Sequence, residues 1–218
     1  MKAAALLLLL CTNSAAYAEG SVRGVVEVTR PNGVAAGAIL VYIVGFDETA
    51  PSKAVEVKQV GRRFIPDLIA VTAGGSVTFP NGDPFLHNVF SPTSNRMFDL
   101  GSYKKGETRT RTFPKPGVVD IYCNIHPEMS ATLIVLPNPR FAFADPTGHF
   151  QIDHVPAGTW TIFAFSRRAV QPINQKVTVG ADGVVEVTFK LDEVQKDFTH
   201  QNKYGEKYRP TTIYPPGS

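Results

Sequence analysis

The chain has 218 residues, and 22 Lys and Arg against 19 Asp and Glu give a formal net charge of +3. So mild a surplus argues against nucleic acid or an anionic membrane surface as the partner. The length, less a leader, suits one large or two small domains.

The chain opens with Lys2, an apolar run from Ala3 to Leu10, and Ala16-Tyr17-Ala18 ahead of Glu19. That layout predicts a secretory signal peptide over 1–18, with a mature protein that is periplasmic or secreted. Its apolar core is too short for a permanent membrane anchor. Cleavage at Cys11 is the lipoprotein alternative, but the residues before it are leucines rather than small residues. Removing the leader takes Lys2 and Cys11 with it, leaving +2 and one cysteine, Cys123. A lone thiol in an exported chain calls for an explanation. Plain burial or an intermolecular disulfide would serve if Cys123 stood without suggestive neighbours.

Beyond the leader, short alternating runs broken by Gly, Pro and Asn predict an all-β protein. Val22–Val28 reads as a strand, and Ala38–Val44 (AILVYIV) as one buried on both faces. Asp47–Lys53 is a polar linker. Val55–Lys58, Phe64–Val71 and Ser76–Phe79 follow as extended segments, and Asn81-Gly82-Asp83-Pro84 is a loop that delivers His87. Thr108–Phe113 alternates with polar residues, as an edge strand does. In Val119-Asp120-Ile121-Tyr122-Cys123 the period of two puts Val119, Ile121 and Cys123 on one face, so the thiol points inward from a strand's end. Ala131–Val135 returns from the loop.

That loop, Cys123-Asn124-Ile125-His126-Pro127-Glu128-Met129, packs a thiol, an imidazole and a thioether into seven residues. Two soft sulfurs with an imidazole favour copper over zinc or magnesium. His87 is the natural source of a second imidazole. The pattern predicts one type 1 (blue) copper ion held by His87, Cys123 and His126 in a plane, with Met129 as weak axial donor. Pro137–Pro139 marks a change of domain, and strands between Arg140 and Leu191 read as a β-sandwich. The tail from 193 to 218 lacks a core pattern and reads as extended or disordered, with His200 solvated. His149 and His154 lie five residues apart without Cys or Met nearby and read as surface histidines.

The segment from Val55 to Leu136 resembles the cupredoxins, in their amicyanin- and plastocyanin-like branch. The matching residues are Phe79-Pro80-Asn81, His87-Asn88-Val89, Phe113, Pro116-Gly117 and Tyr122-Cys123-x-x-His126-Pro127-x-Met129. The resemblance implies a Greek-key barrel, copper roles for His87, Cys123, His126 and Met129, and a hydrogen bond from Asn88 tying the two ligand loops. Asp145-x-x-Gly148-x-Phe150-x-Ile152 and Val155-Pro156-Ala157-Gly158-Thr159-Trp160 resemble a carboxypeptidase regulatory-like sandwich, a transthyretin-type fold. Its first part looks like Gly24–Val44. The expected organisation is therefore a sandwich over 19–50 and 137–192 with the cupredoxin domain, 51–136, inserted between its parts.

Together these readings imply an electron carrier rather than an enzyme, serving a redox partner such as a cytochrome c or a dehydrogenase. Without a C-x-x-C-H haem motif, any cytochrome is a separate chain. Copper storage or delivery is the alternative. A cysteine hydrolase normally draws its histidine from a distant part of the fold. A zinc site would make poor use of the thioether. Five histidines are too few for a multicopper oxidase, and a dinuclear copper centre needs a second cysteine.

Overall fold

The computed structural model describes residues 18–50 and 54–208. The leader reading, the end of the 47–53 linker and the last ten residues lie outside the described residues. Among those described, all regular structure is β-strand. The chain starts with β1 (Glu19–Thr29) and β2 (Ile39–Val44). Ten strands follow: β3 (Val55–Glu56), β4 (Lys58–Gln59), β5 (Phe64–Ile65), β6 (Leu68–Thr72), β7 (Gly75–Pro80), β8 (His87–Ser91), β9 (Phe98–Tyr103), β10 (Thr108–Phe113), β11 (Gly117–Tyr122) and β12 (Ser130–Leu136). The last five are β13 (Phe141–Phe143), β14 (His149–Pro156), β15 (Gly158–Ser166), β16 (Ile173–Val179) and β17 (Val184–Asp192).

Pairing sorts them into two sets. β1 lies between β14, antiparallel, and β17, parallel. β2 sits between β13 and β15, with β16 outside β15. The first two strands thus pair with strands that arrive about 100 to 160 residues later. β3 to β12 pair among themselves, in the sheets β6-β12-β11-β8-β9 and β10-β7-β3 with the small β4-β5 ribbon. β10 takes the edge position that its Thr-Arg alternation suits.

Each set buries a core. Val22, Val41, Ile43, Phe150, Ile162, Val187 and Phe189 fill the sandwich. Val57, Phe79, Val89, Tyr103, Val119, Ile121, Cys123, Met129 and Leu133 fill the barrel. A third cluster joins them. β12 is buried at all seven positions because both of its faces are covered. Ala131, Leu133 and Val135 face the barrel core, while Ile134 and Leu136 join Leu68, Ala70 and Leu40 in the cluster between barrel and sandwich. Period two sends alternate residues to different cores, which is why such strands read as unbroken apolar runs.

Polar contacts close the same junction. Arg167, after β15, donates to Asp67 Oδ2 (2.6 Å), Ser130 Oγ (2.8 Å) and Thr132 Oγ1 (3.2 Å). Asn138, fully buried in the link from β12 to β13, donates to the carbonyls of Ile43 and Phe46. The aperiodic segment 193–208 packs against the same junction. Glu193 is buried, with its amide on the Thr29 carbonyl, and Phe198 stacks on the Arg167 guanidinium at 4.3 Å. This segment forms no strand and packs through single aromatic side chains, so it carries no periodic signal.

Leu136→Ala empties a site shared by both β sets and should lower unfolding free energy by about 2–5 kcal/mol in urea titration. A loss under about 1 kcal/mol would contradict a close-packed junction.

Candidate metal centre

The donors are delivered by strand geometry. Parity along β11 buries Val119 and Ile121, and Cys123 continues that face at full burial. The loop folds back on itself, with the Cys123 amide donating to the Met129 carbonyl (3.2 Å) and the Met129 amide to the His126 carbonyl (3.1 Å). β8 opens with His87, also fully buried.

His87, Cys123 and His126 come together, their ligand atoms all within 4.8 Å of one another. The two Nδ1 atoms are 3.1 Å apart, and Cys123 Sγ stands 3.9 Å from His87 Nδ1 and 3.6 Å from His126 Nδ1. A triangle with those sides has its circumcentre about 2.1 Å from each corner, within the ~2.0–2.3 Å of nitrogen and thiolate bonds to a first-row metal. The space between the donors therefore fits one such ion. Met129 closes the loop fully buried in the core cluster that contains Cys123.

Hydrogen bonding sets the state of the donors. His87 Nε2 lies 2.8 Å from Asp83 Oδ2. An ionised carboxylate only accepts, so the neutral ring carries its proton on Nε2 and presents a bare Nδ1 inward. Asp83 is anchored in turn by the amides of Gly61 (2.8 Å) and Arg62 (3.0 Å). Burial raises its carboxyl, but those amides and His87 outweigh it and hold Asp83 below the usual carboxylate range. Burial pushes the Cys123 thiol up, against the pull of the amides of Asn88, Ile125 and His126. His126 is held below the usual histidine range by burial and by His87 beside it. Burial thus favours the protonated thiol at Cys123, and binding of a cation there would release that proton.

Asn88 joins the two donor-bearing segments. Its Oδ1 accepts from the Asn124 amide (3.2 Å), and its Nδ2 donates to Asp99 (2.6 Å). Phe79 and Phe90 are buried, whereas Phe85, Leu86 and Ile125 form a part-exposed apolar rim. The Phe85 ring lies 5.2 Å from the His87 ring and 5.4 Å from the His126 ring.

No family model matches the chain. An amicyanin-alpha from Methylorubrum extorquens is 28% identical over 91 residues, 40% of this chain and 76% of the relative. A plastocyanin from Ulva arasakii is 35% identical over 72 residues, 29% of this chain and 74% of the relative. The chain belongs to the cupredoxins. A solved amicyanin from Paracoccus versutus is 27% identical and covers 39% of this cupredoxin and 84% of its own chain, at a TM-score of 0.36.

Sequence reasoning passes over several side chains around this cupredoxin's site. Asp83 reads as part of a turn, although a carboxylate four residues before a histidine is a usable signal. His200 is not solvated. It is half-buried and stacked on Tyr122, centroids 4.2 Å apart and planes 19° from parallel. Tyr208 donates to the Cys123 carbonyl (2.8 Å) from 85 residues away, with no local pattern to betray it. His149 and His154 are exposed.

Asp83→Asn replaces a charged acceptor with a neutral amide. The expected result is a ~10–100-fold loss of metal affinity in chelator competition. An unchanged affinity would show that Asp83 does not set the His87 donor.

Proposed function

We propose that this chain is an exported, periplasmic or secreted type 1 copper protein that carries single electrons between other proteins and is not itself an enzyme. His87, Cys123 and His126 would hold the ion, with Met129 as axial donor and Asn88 bracing the two ligand segments. The observation that carries this reading is the donor triangle: one thiol and two imidazole nitrogens, sized for a single ion and backed by a buried methionine. Copper, when bound, supplies a one-electron couple between Cu(II) and Cu(I). Amicyanin and plastocyanin, the relatives matched over the shared stretch, support the same assignment.

The chain's own residues do the rest. Cys123 gives up its proton to become the strong donor, and Asp83 keeps the His87 lone pair aimed inward. Phe79, Phe90 and the barrel core exclude water. His126 is only half-buried, and the rim of Phe85, Leu86 and Ile125 beside it offers an apolar surface where a cytochrome c or a dehydrogenase can come close. We read β1, β2 and β13–β17 as one carboxypeptidase regulatory-like sandwich into which the barrel is inserted, at the boundaries 19–50, 51–136 and 137–192. The junction cluster and Arg167 support a shared mounting for the two.

Storage or delivery of copper is the competing use of the same donors. Full burial of His87 and Cys123 favours a resident ion over one handed on. Stopped-flow mixing of the loaded, reduced protein with an oxidised cytochrome c separates the two: a carrier exchanges electrons and keeps its copper, a delivery protein loses copper to an acceptor.

Two substitutions extend the test. Cys123→Ser should remove the intense visible absorption and cost more affinity than the ~10–100-fold typical of losing an outer hydrogen-bond partner. Retained colour would remove Cys123 from the site. Met129→Leu should keep the copper and raise the reduction potential, because a weaker axial donor stabilises Cu(II) less. A rise of about 59 mV corresponds to a tenfold change in the couple, and an unshifted potential would mean that Met129 is not axial.

A further inference from the structure

The loop from Asn124 to Met129 has little to hold it from within. Its backbone–backbone bonds are the two already named, its Ile125 and His126 amides turn to the Cys123 sulfur, and Ile125 and Glu128 are exposed. The C-terminal segment supplies what is missing. After Phe198 on Arg167, His200 lies flat on Tyr122, and the Tyr208 ring meets His200 edge-on at 5.5 Å. A tight turn over Asn202–Glu206, closed by the Asn202 and Gly205 amides, presents Lys203 to the barrel.

Lys203 completes a closed circuit of hydrogen bonds. Its amide donates to Asn124 Oδ1 (2.8 Å) and its ammonium to Asp99 Oδ2 (2.6 Å). Asp99 Oδ1 accepts from Asn88 Nδ2, and Asn88 Oδ1 accepts from the Asn124 amide. The circuit links the residue after His87, the residue after Cys123 and the C-terminal segment. Tyr208 adds a separate anchor on the Cys123 carbonyl, fixing the plane of the peptide that leaves the sulfur-bearing residue.

We propose that Phe198–Tyr208 is an intramolecular strap, with Lys203 and Tyr208 acting as positioning residues that hold the donor loop in its liganding arrangement before any metal arrives. Its service to copper rests on the function proposed above; its grip on the loop does not. Holding the loop from outside lowers the ordering cost that an incoming ion would otherwise meet, and it slows the local opening through which a bound ion escapes.

The test is amide hydrogen exchange on the metal-free, full-length protein, comparing wild type with Tyr208→Phe, Lys203→Ala and the double variant. Removing one hydrogen bond should speed exchange at Asn124, Ile125, His126, Glu128 and Met129 by roughly fivefold, and the double variant should exceed either single. The strands 158–166 and 184–192 should keep wild-type protection. Release of copper to a chelator should accelerate by a similar factor in the same variants. Unchanged exchange in the loop, or acceleration of equal size in the sandwich strands, overturns the strap. Wild-type protein that fails to bind copper would defeat the carrier reading alone, since the exchange measurement reads the strap without metal.

Discussion

The hydrogen bond from His87 to Asp83 is the constraint on which the site depends. It fixes the imidazole's proton on the far nitrogen, so a lone pair rather than a hydrogen faces Cys123 and His126. A carboxylate that could swing would do this poorly. Asp83 cannot, because two backbone amides and its own loop hold it, its amide donating to Asn81 Oδ1 at 2.9 Å. Two imidazole nitrogens and a sulfur then meet in one small volume, with His87 and Cys123 fully buried and His126 half-buried.

Outside that volume the fold works in successive shells. The barrel core buries the sulfurs, β12 is packed on both faces, and the sandwich covers its outer side through Leu40, with Tyr42, Phe141 and Phe165 packed alongside. Arg167 grips Ser130, the residue that follows Met129, so the sandwich reaches within one residue of the proposed axial donor. A copper centre of the kind proposed would need this rigidity to keep its ligands in place as the ion's charge changes. The proposed strap holds the donor loop from outside, at the Asn124 side chain and the Cys123 carbonyl.

How much of this the sequence discloses follows from the kind of signal each feature leaves. Period two reads directly into burial, so the inward face of Val119, Ile121 and Cys123, the doubly buried β2 and the polar edge strand β10 are all legible. The donor loop is legible because its chemistry is compressed into seven residues. Asp83 is harder, since Asn-Gly-Asp-Pro is also what an ordinary turn looks like. The strap is hardest. Tyr208 and Lys203 act through single contacts with residues about 80 to 100 positions away, and an aperiodic polar stretch looks the same whether it floats or docks. For the same reason His200 reads as solvated in the sequence, although its ring covers Tyr122.

A donor set assembled in advance would serve both oxidation states of one ion. Copper-edge X-ray absorption on the loaded protein, oxidised and then reduced, reads that donor set directly. The prediction is one short copper–sulfur bond and two imidazole nitrogens in both states, with the shell little changed by reduction. A shell of nitrogen and oxygen alone, or a sulfur present in one state and absent in the other, would contradict it.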